Sequence, residues 1–195
     1  MAPLPRSGGT LLLFPGAGAS RDQSTLVAVE RAVAPEWATV RADFPYRKEG
    51  RRAPDRPPKL LAAVRDELGA IDGPVVVGGR SMGGRMCSMV AAGADGQPPP
   101  AELAGVVLIS YPLHPPGKPD SLRVEHLPAI TVPCLFVHGT GDPFGTPDEL
   151  ATWTATIAGP VTHHFVEGGR HDLRGKDAEV SAAVRDWLSG REASR

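Results

Sequence analysis

Hydrophobic and polar positions along the 195-residue chain fall into two alternating patterns. Short, dense apolar runs rich in β-branched residues read as buried strands, and longer segments with apolar residues every three or four positions read as amphipathic helices. Thr10 to Phe14, Ala38 to Ala42, the run around Val75-Val76-Val77, Gly105 to Ser110, Pro133 to His138 and Val161 to Val166 are of the first kind. The second kind includes a helix with Leu26, Val29 and Val33 on one face, capped by Ser20 or Asp22 and closed by Pro35. Lys59 to Leu68 carries Leu60, Leu61, Val64 and Leu68, and Met82 to Gly93 carries Met82, Met86, Met89 and Val90. Pro147 to Ile157 opens with proline in its first turn and Asp148 and Glu149 at the positive end of the helix dipole. Asp177 to Leu188 presents Val180, Val184, Trp187 and Leu188. Six strands alternating with helices predict an α/β fold with a six-stranded, mostly parallel, doubly wound sheet, whose ligands bind outside the carboxyl ends of the strands.

The residues that follow the strands carry the chemistry. The third strand ends in Gly79-Arg80-Ser81-Met82-Gly83, a G-x-S-x-G pattern in which a serine sits on a sharp strand-to-helix turn and the flanking glycines allow close approach of strand and helix. The pattern by itself also fits a serine that only caps the helix. Its glycines lack the G-x-G-x-x-G spacing of a dinucleotide loop. A serine hydroxyl needs an imidazole to accept its proton and a carboxylate to orient that imidazole. Both follow in the chain order serine, acid, histidine. Asp142 leaves the fifth strand through Gly139-Thr140-Gly141, and His171 lies in a loop just past the last strand. His163 and His164 fall inside that strand, and His114, His126 and His138 come earlier. Asp120 is an alternative acid, and Asp172 reads as a turn cap beside His171. The first strand runs into Pro15-Gly16-Ala17-Gly18-Ala19, small residues that let amides point at a ligand. The backbone N–H groups of Ala17 and Met82 are the expected donors to an oxyanion.

Composition narrows the class. With 41% hydrophobic residues the chain can bury one good core, and residues 1–195 are expected to form a single domain. A net charge of −1 gives no general attraction to nucleic acid or anionic membrane. Arg47, Lys48, Arg51, Arg52 and Arg56 form a local basic stretch, but without interleaved aromatics and with Pro54, Pro57 and Pro58 it reads as a solvated, irregular loop. No apolar run reaches transmembrane length, and the segment after Met1 to Arg6 is too short for a secretory core, so a cytoplasmic location is expected. Cys87 and Cys134 lack metal-ligand spacing and read as packing residues. No metal and no cofactor are called for; the expected partner is a small acyl substrate, with oligomeric state left open.

With these residues in place, the chain resembles the α/β-hydrolase superfamily over nearly its whole length. Gly78-Gly79-Arg80-Ser81-Met82-Gly83-Gly84-Arg85 and Ile109-Ser110-Tyr111-Pro112-Leu113-His114-Pro115 look like the small dienelactone-hydrolase-related branch, which includes bacterial predicted hydrolases and the testis-expressed hydrolase-like proteins of animals. The resemblance implies a compact fold beginning at the third strand of the full superfamily sheet. It departs from dienelactone hydrolases proper, whose nucleophile is a cysteine where this chain has Ser81. Some relatives in that branch are subunits of larger assemblies, which supplies a competing expectation of an interaction module with little activity. No long insertion follows the fourth strand, and only the Pro-rich stretch Tyr111 to Pro133 and the basic loop after Tyr46 are long enough to overhang the site, so no large cap domain is expected. Arg80, Tyr111, His114 and Phe144 are the expected pocket residues; Arg85 flanks the elbow, and Phe14 and Met82 are further candidates for apolar wall. Together these predict a serine hydrolase acting on a small or extended ester, thioester or amide.

Overall fold

In a computed structural model, which describes residues 8–190, all six strands join one parallel sheet in the order β2-β1-β3-β4-β5-β6. The reading of Met1 to Arg6 as something other than a secretory leader lies outside the described residues. The strands are β1 (Thr10–Phe14), β2 (Ala38–Arg41), β3 (Val75–Arg80), β4 (Leu103–Ile109), β5 (Cys134–Gly139) and β6 (Val161–Val166). Both faces of the central strands are buried, which is why these segments read as continuous apolar runs. Leu11 and Leu13 of β1 enter one core and Leu12 and Phe14 the other, as the two-residue period of a strand requires.

Helices cover both faces. α1 (Ser24–Val33) and α6 (Asp177–Leu188) pack beside each other on one side, where Leu26, Val29, Val180 and Val184 are fully buried. α3 (Pro57–Gly69), α4 (Met82–Ala91) and α5 (Pro147–Thr154) cover the other, around Val64, Met86 and Leu150. Ser20 and Asp22 do not cap α1; its N-cap is Gln23, which makes no side-chain capping bond because its amide oxygen instead accepts from Gly16 N–H. α5 is closed by a reciprocal box: the Thr146 hydroxyl accepts from Glu149 N–H, and the Glu149 carboxylate accepts from Thr146 N–H.

Two stretches differ from expectation. The basic segment begins as a short helix, α2 (Pro45–Lys48), made possible by proline at its first position. Part of its charge is paired locally: Arg51 with Glu49 and Asp55, Lys59 with the same two acids, and Lys48 with Glu67. The Pro-rich segment after β4, in which the sequence allows at most one short helix around Leu122 to Leu127, forms only a 3-10 turn slightly later, at Leu127–Ala129. It is nevertheless pinned to the body, with His126 Nε2 and Ser88 Oγ on α4 2.8 Å apart in the interior. Burial pushes the His126 imidazole down to about 4, with Arg85 acting in the same direction and Glu125 against it. The unfolded chain therefore binds a proton that the folded one excludes, and stability is lost as pH falls from about 6.5 towards 4. We expect on the order of 3 kcal/mol from this group across that window, read from urea unfolding midpoints, and a flatter slope in His126→Gln.

Candidate active site

The strand order reverses between β1 and β3, and there the carboxyl ends of adjacent strands open a crevice. Ser81 sits at this point. Its backbone is held at φ 50° and ψ −114°, a conformation that side chains rarely adopt and that projects the serine out of the turn. The turn closes only because its flanking positions lack Cβ atoms. A Cβ on Gly83 would lie 2.5 Å from the carbonyl oxygens of both Phe14 and Pro15, and one on Gly79 would strike the Phe14 carbonyl.

Ser81 Oγ is 2.8 Å from His171 Nε2. His171 Nδ1 is 2.8 and 3.0 Å from the two oxygens of Asp142. With Nδ1–H donating to this carboxylate, Nε2 presents its lone pair to the serine hydroxyl. Asp142 is buried, and its Oδ1 also accepts from the N–H of Phe144. The His171 ring is held from three further directions. The Phe144 ring stacks on it at a centroid distance of 3.9 Å, and Arg80 Nη2 donates to the His171 carbonyl at 2.6 Å. The loop after β6 is seated against Gly139, whose missing Cβ would otherwise collide with the Gly169 carbonyl.

The first glycine-rich loop turns its amides to different uses. Gly16 N–H donates to Gln23, Gly18 N–H to the Tyr46 hydroxyl and Ala19 N–H to the Gly16 carbonyl. The Ala17 amide between them has no partner among the described residues. Met82 N–H belongs to the first turn of α4, where amides have no intrahelical acceptor. Ala17, Ser81, Met82 and His171 line one cleft of about 460 Å³. Two amides, a hydroxyl and an imidazole on one wall can attack a carbonyl carbon and receive the charge that develops on its oxygen.

Residues 7–187 match the model of a family described as the alpha/beta hydrolase domain. The chain belongs to that family. Among solved structures, this alpha/beta hydrolase is similar to Est1E from Butyrivibrio proteoclasticus, a structure with ferulic acid bound. The TM-score is 0.73 at 16% identity over 97% of this chain and 92% of that one. A monoacylglycerol lipase from Paleococcus ferrophilus matches with TM-score 0.71 at 15% identity over 96% of each chain. The RedJ thioesterase of the prodiginine pathway in Streptomyces coelicolor matches with TM-score 0.66 at 18% identity, covering 94% and 88%. At these identities the likeness is one of fold.

Within this hydrolase fold, Arg80 and Phe144 reach the cleft as expected. Tyr111 and His114 do not. Tyr111 is 1% exposed and donates its hydroxyl to the Arg123 carbonyl at 2.6 Å; burial raises its phenol pKa. His114 is 6% exposed, with Nδ1 2.9 Å from the Pro115 carbonyl, and packs under the Pro-rich segment near Glu149. Tyr111 turns into the core on that face of the sheet, and His114 is held against the backbone of its own segment. Phe14 is likewise fully buried and contributes its backbone carbonyl, not its ring, to the turn. The cleft gains two residues that sequence reasoning left out, Pro112 and Arg123. Asp172 caps a turn by accepting from Arg174 N–H, and Asp120 stays exposed on the surface. Cys87 is fully buried with its thiol against the Gly78 carbonyl, and Cys134 is buried with its pKa pushed up to about 12. No helix among the described residues is long and apolar enough to cross a membrane.

Proposed function

We propose that this protein is a serine carboxylic-ester hydrolase that cleaves an ester or thioester of a small or extended acyl group. The single observation that carries this reading is the unbroken hydrogen-bonded series Ser81–His171–Asp142 facing a cleft. In the first half-reaction Ser81 Oγ attacks the acyl carbonyl carbon while His171 Nε2 takes its proton. Asp142 holds the imidazole in the required tautomer and stabilises the imidazolium. The tetrahedral oxyanion accepts hydrogen bonds from the amides of Ala17 and Met82. His171 then returns the proton to the departing alkoxide or thiolate, leaving an acyl-serine. Water, deprotonated by the same imidazole, attacks the acyl carbon in the second half, and the acid leaves as Ser81 recovers its proton. Fold neighbours that carry the names lipase and thioesterase support an acyl-transfer chemistry on oxygen or sulfur esters. A cytoplasmic site of action belongs to the same proposal.

The test is labelling with a fluorophosphonate probe read by intact mass. The wild type gains one adduct and Ser81→Ala gains none. Failure of the wild type to label, beside a serine hydrolase that labels under the same conditions, overturns the reading.

A further inference from the structure

The cleft beside Ser81 contains three arginines, Arg80, Arg85 and Arg123, and no acidic side chain among its described lining residues. Some arginines elsewhere in the molecule are ion-paired, Arg65 with Asp95, Arg41 with Asp22 and Glu30 and Arg51 with Asp55. In the cleft the pattern is different. Arg80 has one acceptor, the His171 carbonyl, and the Nε atoms of Arg80 and Arg85 are buried without a partner. Arg85 stands four residues after Ser81, one helical turn along the same face of α4, so its guanidinium belongs to the wall that the reacting group touches.

Arg123 is brought to the cleft deliberately from a segment with almost no regular structure. Its N–H donates to the Leu113 carbonyl at 2.9 Å, and its own carbonyl accepts from Tyr111 Oη. Three residues on, His126 locks the segment to Ser88 on α4, the helix that carries Arg85. Arg85 and Arg123 thereby line the same cleft, and like charges gathered there repel each other unless an anion lies between them. Burial first, and the charge of Arg85 after it, depress the Arg123 pKa. The chain as a whole carries a net charge of −1, so the positive charge of the cleft does not follow from the charge of the protein as a whole.

We propose that Arg85 and Arg123 form a carboxylate-binding subsite, and that the substrate is an acyl ester or thioester bearing a free carboxylate near its scissile carbonyl. The proposal rests on the hydrolase reading above and specifies its substrate class. Guanidinium forks match a carboxylate in a bidentate manner, and a half-buried pair of them orients the substrate as well as binding it. Arg80, occupied in holding the His171 loop, is a positioning residue and not part of the subsite.

Two matched ester pairs test this. In the first, mono-4-nitrophenyl adipate is compared with its methyl ester, so that the charge lies on the acyl side. In the second, 4-carboxyphenyl butyrate is compared with 4-carbamoylphenyl butyrate, which puts the charge on the leaving group. After correction for the uncatalysed rates, wild type is expected to favour the anionic member of one pair by about tenfold or more in kcat/KM. Which pair shows the preference assigns the side of the scissile bond. Arg85→Gln and Arg123→Gln each drive that ratio towards one, lysine at either position restores part of it, and added salt lowers it. Ratios near one in both pairs, with Ser81 still labelled by the fluorophosphonate, overturn the subsite while leaving the hydrolase reading standing. A readout free of turnover separates the two ideas from the other side. Adipate binding to Ser81→Ala, followed by ligand-observed NMR, is expected and should weaken about tenfold in the added Arg85→Gln background. If adipate does not bind, the subsite is refuted whatever the activity; if it binds through Arg85 in a protein that neither labels nor turns over esters, the subsite stands and the hydrolase reading falls.

Discussion

Ser81→Ala is expected to lower kcat for an activated ester by about 10⁴-fold to 10⁶-fold while leaving KM within a small factor. Without the hydroxyl no acyl-serine forms, and only the amides of Ala17 and Met82 and the binding contacts of the cleft remain to favour direct attack by water. Alanine is the right replacement because it keeps the Cβ and therefore the unfavourable φ 50°, ψ −114° backbone of the elbow. Glycine would relieve that strain and move stability and activity together. Pre-steady-state kinetics with a 4-nitrophenyl ester in excess over enzyme provide the measurement. Wild type should show a burst of nitrophenolate equal to enzyme, and Ser81→Ala none. A Ser81→Ala protein with an intact burst would remove the serine from the mechanism.

The second large effect is expected at a residue that touches no substrate. Gly139 ends β5 three positions before Asp142, and its α-carbon lies against the backbone of Gly169 and Arg170, two residues and one before His171. A Cβ there would lie 3.1 Å from the Arg170 carbonyl oxygen and would overlap the Gly169 carbonyl more severely still. These are backbone atoms in a turn tied by Gly141 N–H donating to the Gly169 carbonyl at 2.8 Å, so neither side can step aside alone. Gly139→Ala should therefore cost about 3 kcal/mol in stability and lower Tm by roughly 10 °C. It should also part His171 from Asp142 by enough to reduce kcat about 10²-fold in the fraction that remains folded. Differential scanning calorimetry and kcat measured well below the transition separate the two consequences. A variant with wild-type Tm and kcat would show that the two turns are not held at the distance described.

The elements most legible in the sequence were those whose information is local. A β-branched run followed by G-x-S-x-G specifies a strand, a turn and a helix within a dozen residues, and β3, Ser81 and α4 lie where that pattern puts them. Asp142 and His171 could be named because each follows a strand end directly, and a parallel sheet gathers its strand ends at one edge. Arg123 was hidden because it lies in the middle of an irregular segment, and its place in the cleft depends on Tyr111 and His126, residues whose roles are set by tertiary contact. Tyr111 and His114 were misplaced for the converse reason. Proximity to a strand end suggested the cleft, but a large aromatic such as Tyr111 gains more by packing into the core, and the His114 ring is buried against the Pro115 carbonyl of its own segment. The cations around Arg51 look like a patch when read along the chain; in space Glu49 and Asp55 pair with Arg51 and Lys59 and offset part of it.

The described residues place no helical layer over the carboxyl edge of the sheet, and Ala17 on the rim of the cleft is exposed. An acyl group resting on Ser81 would thus face the bulk phase with nothing to open or shut before the next molecule arrives. Partitioning of that intermediate then follows collision frequency. Water, far more abundant than any dissolved alcohol or thiol, captures most of it, and transfer to an added nucleophile should rise in simple proportion to its concentration without saturating.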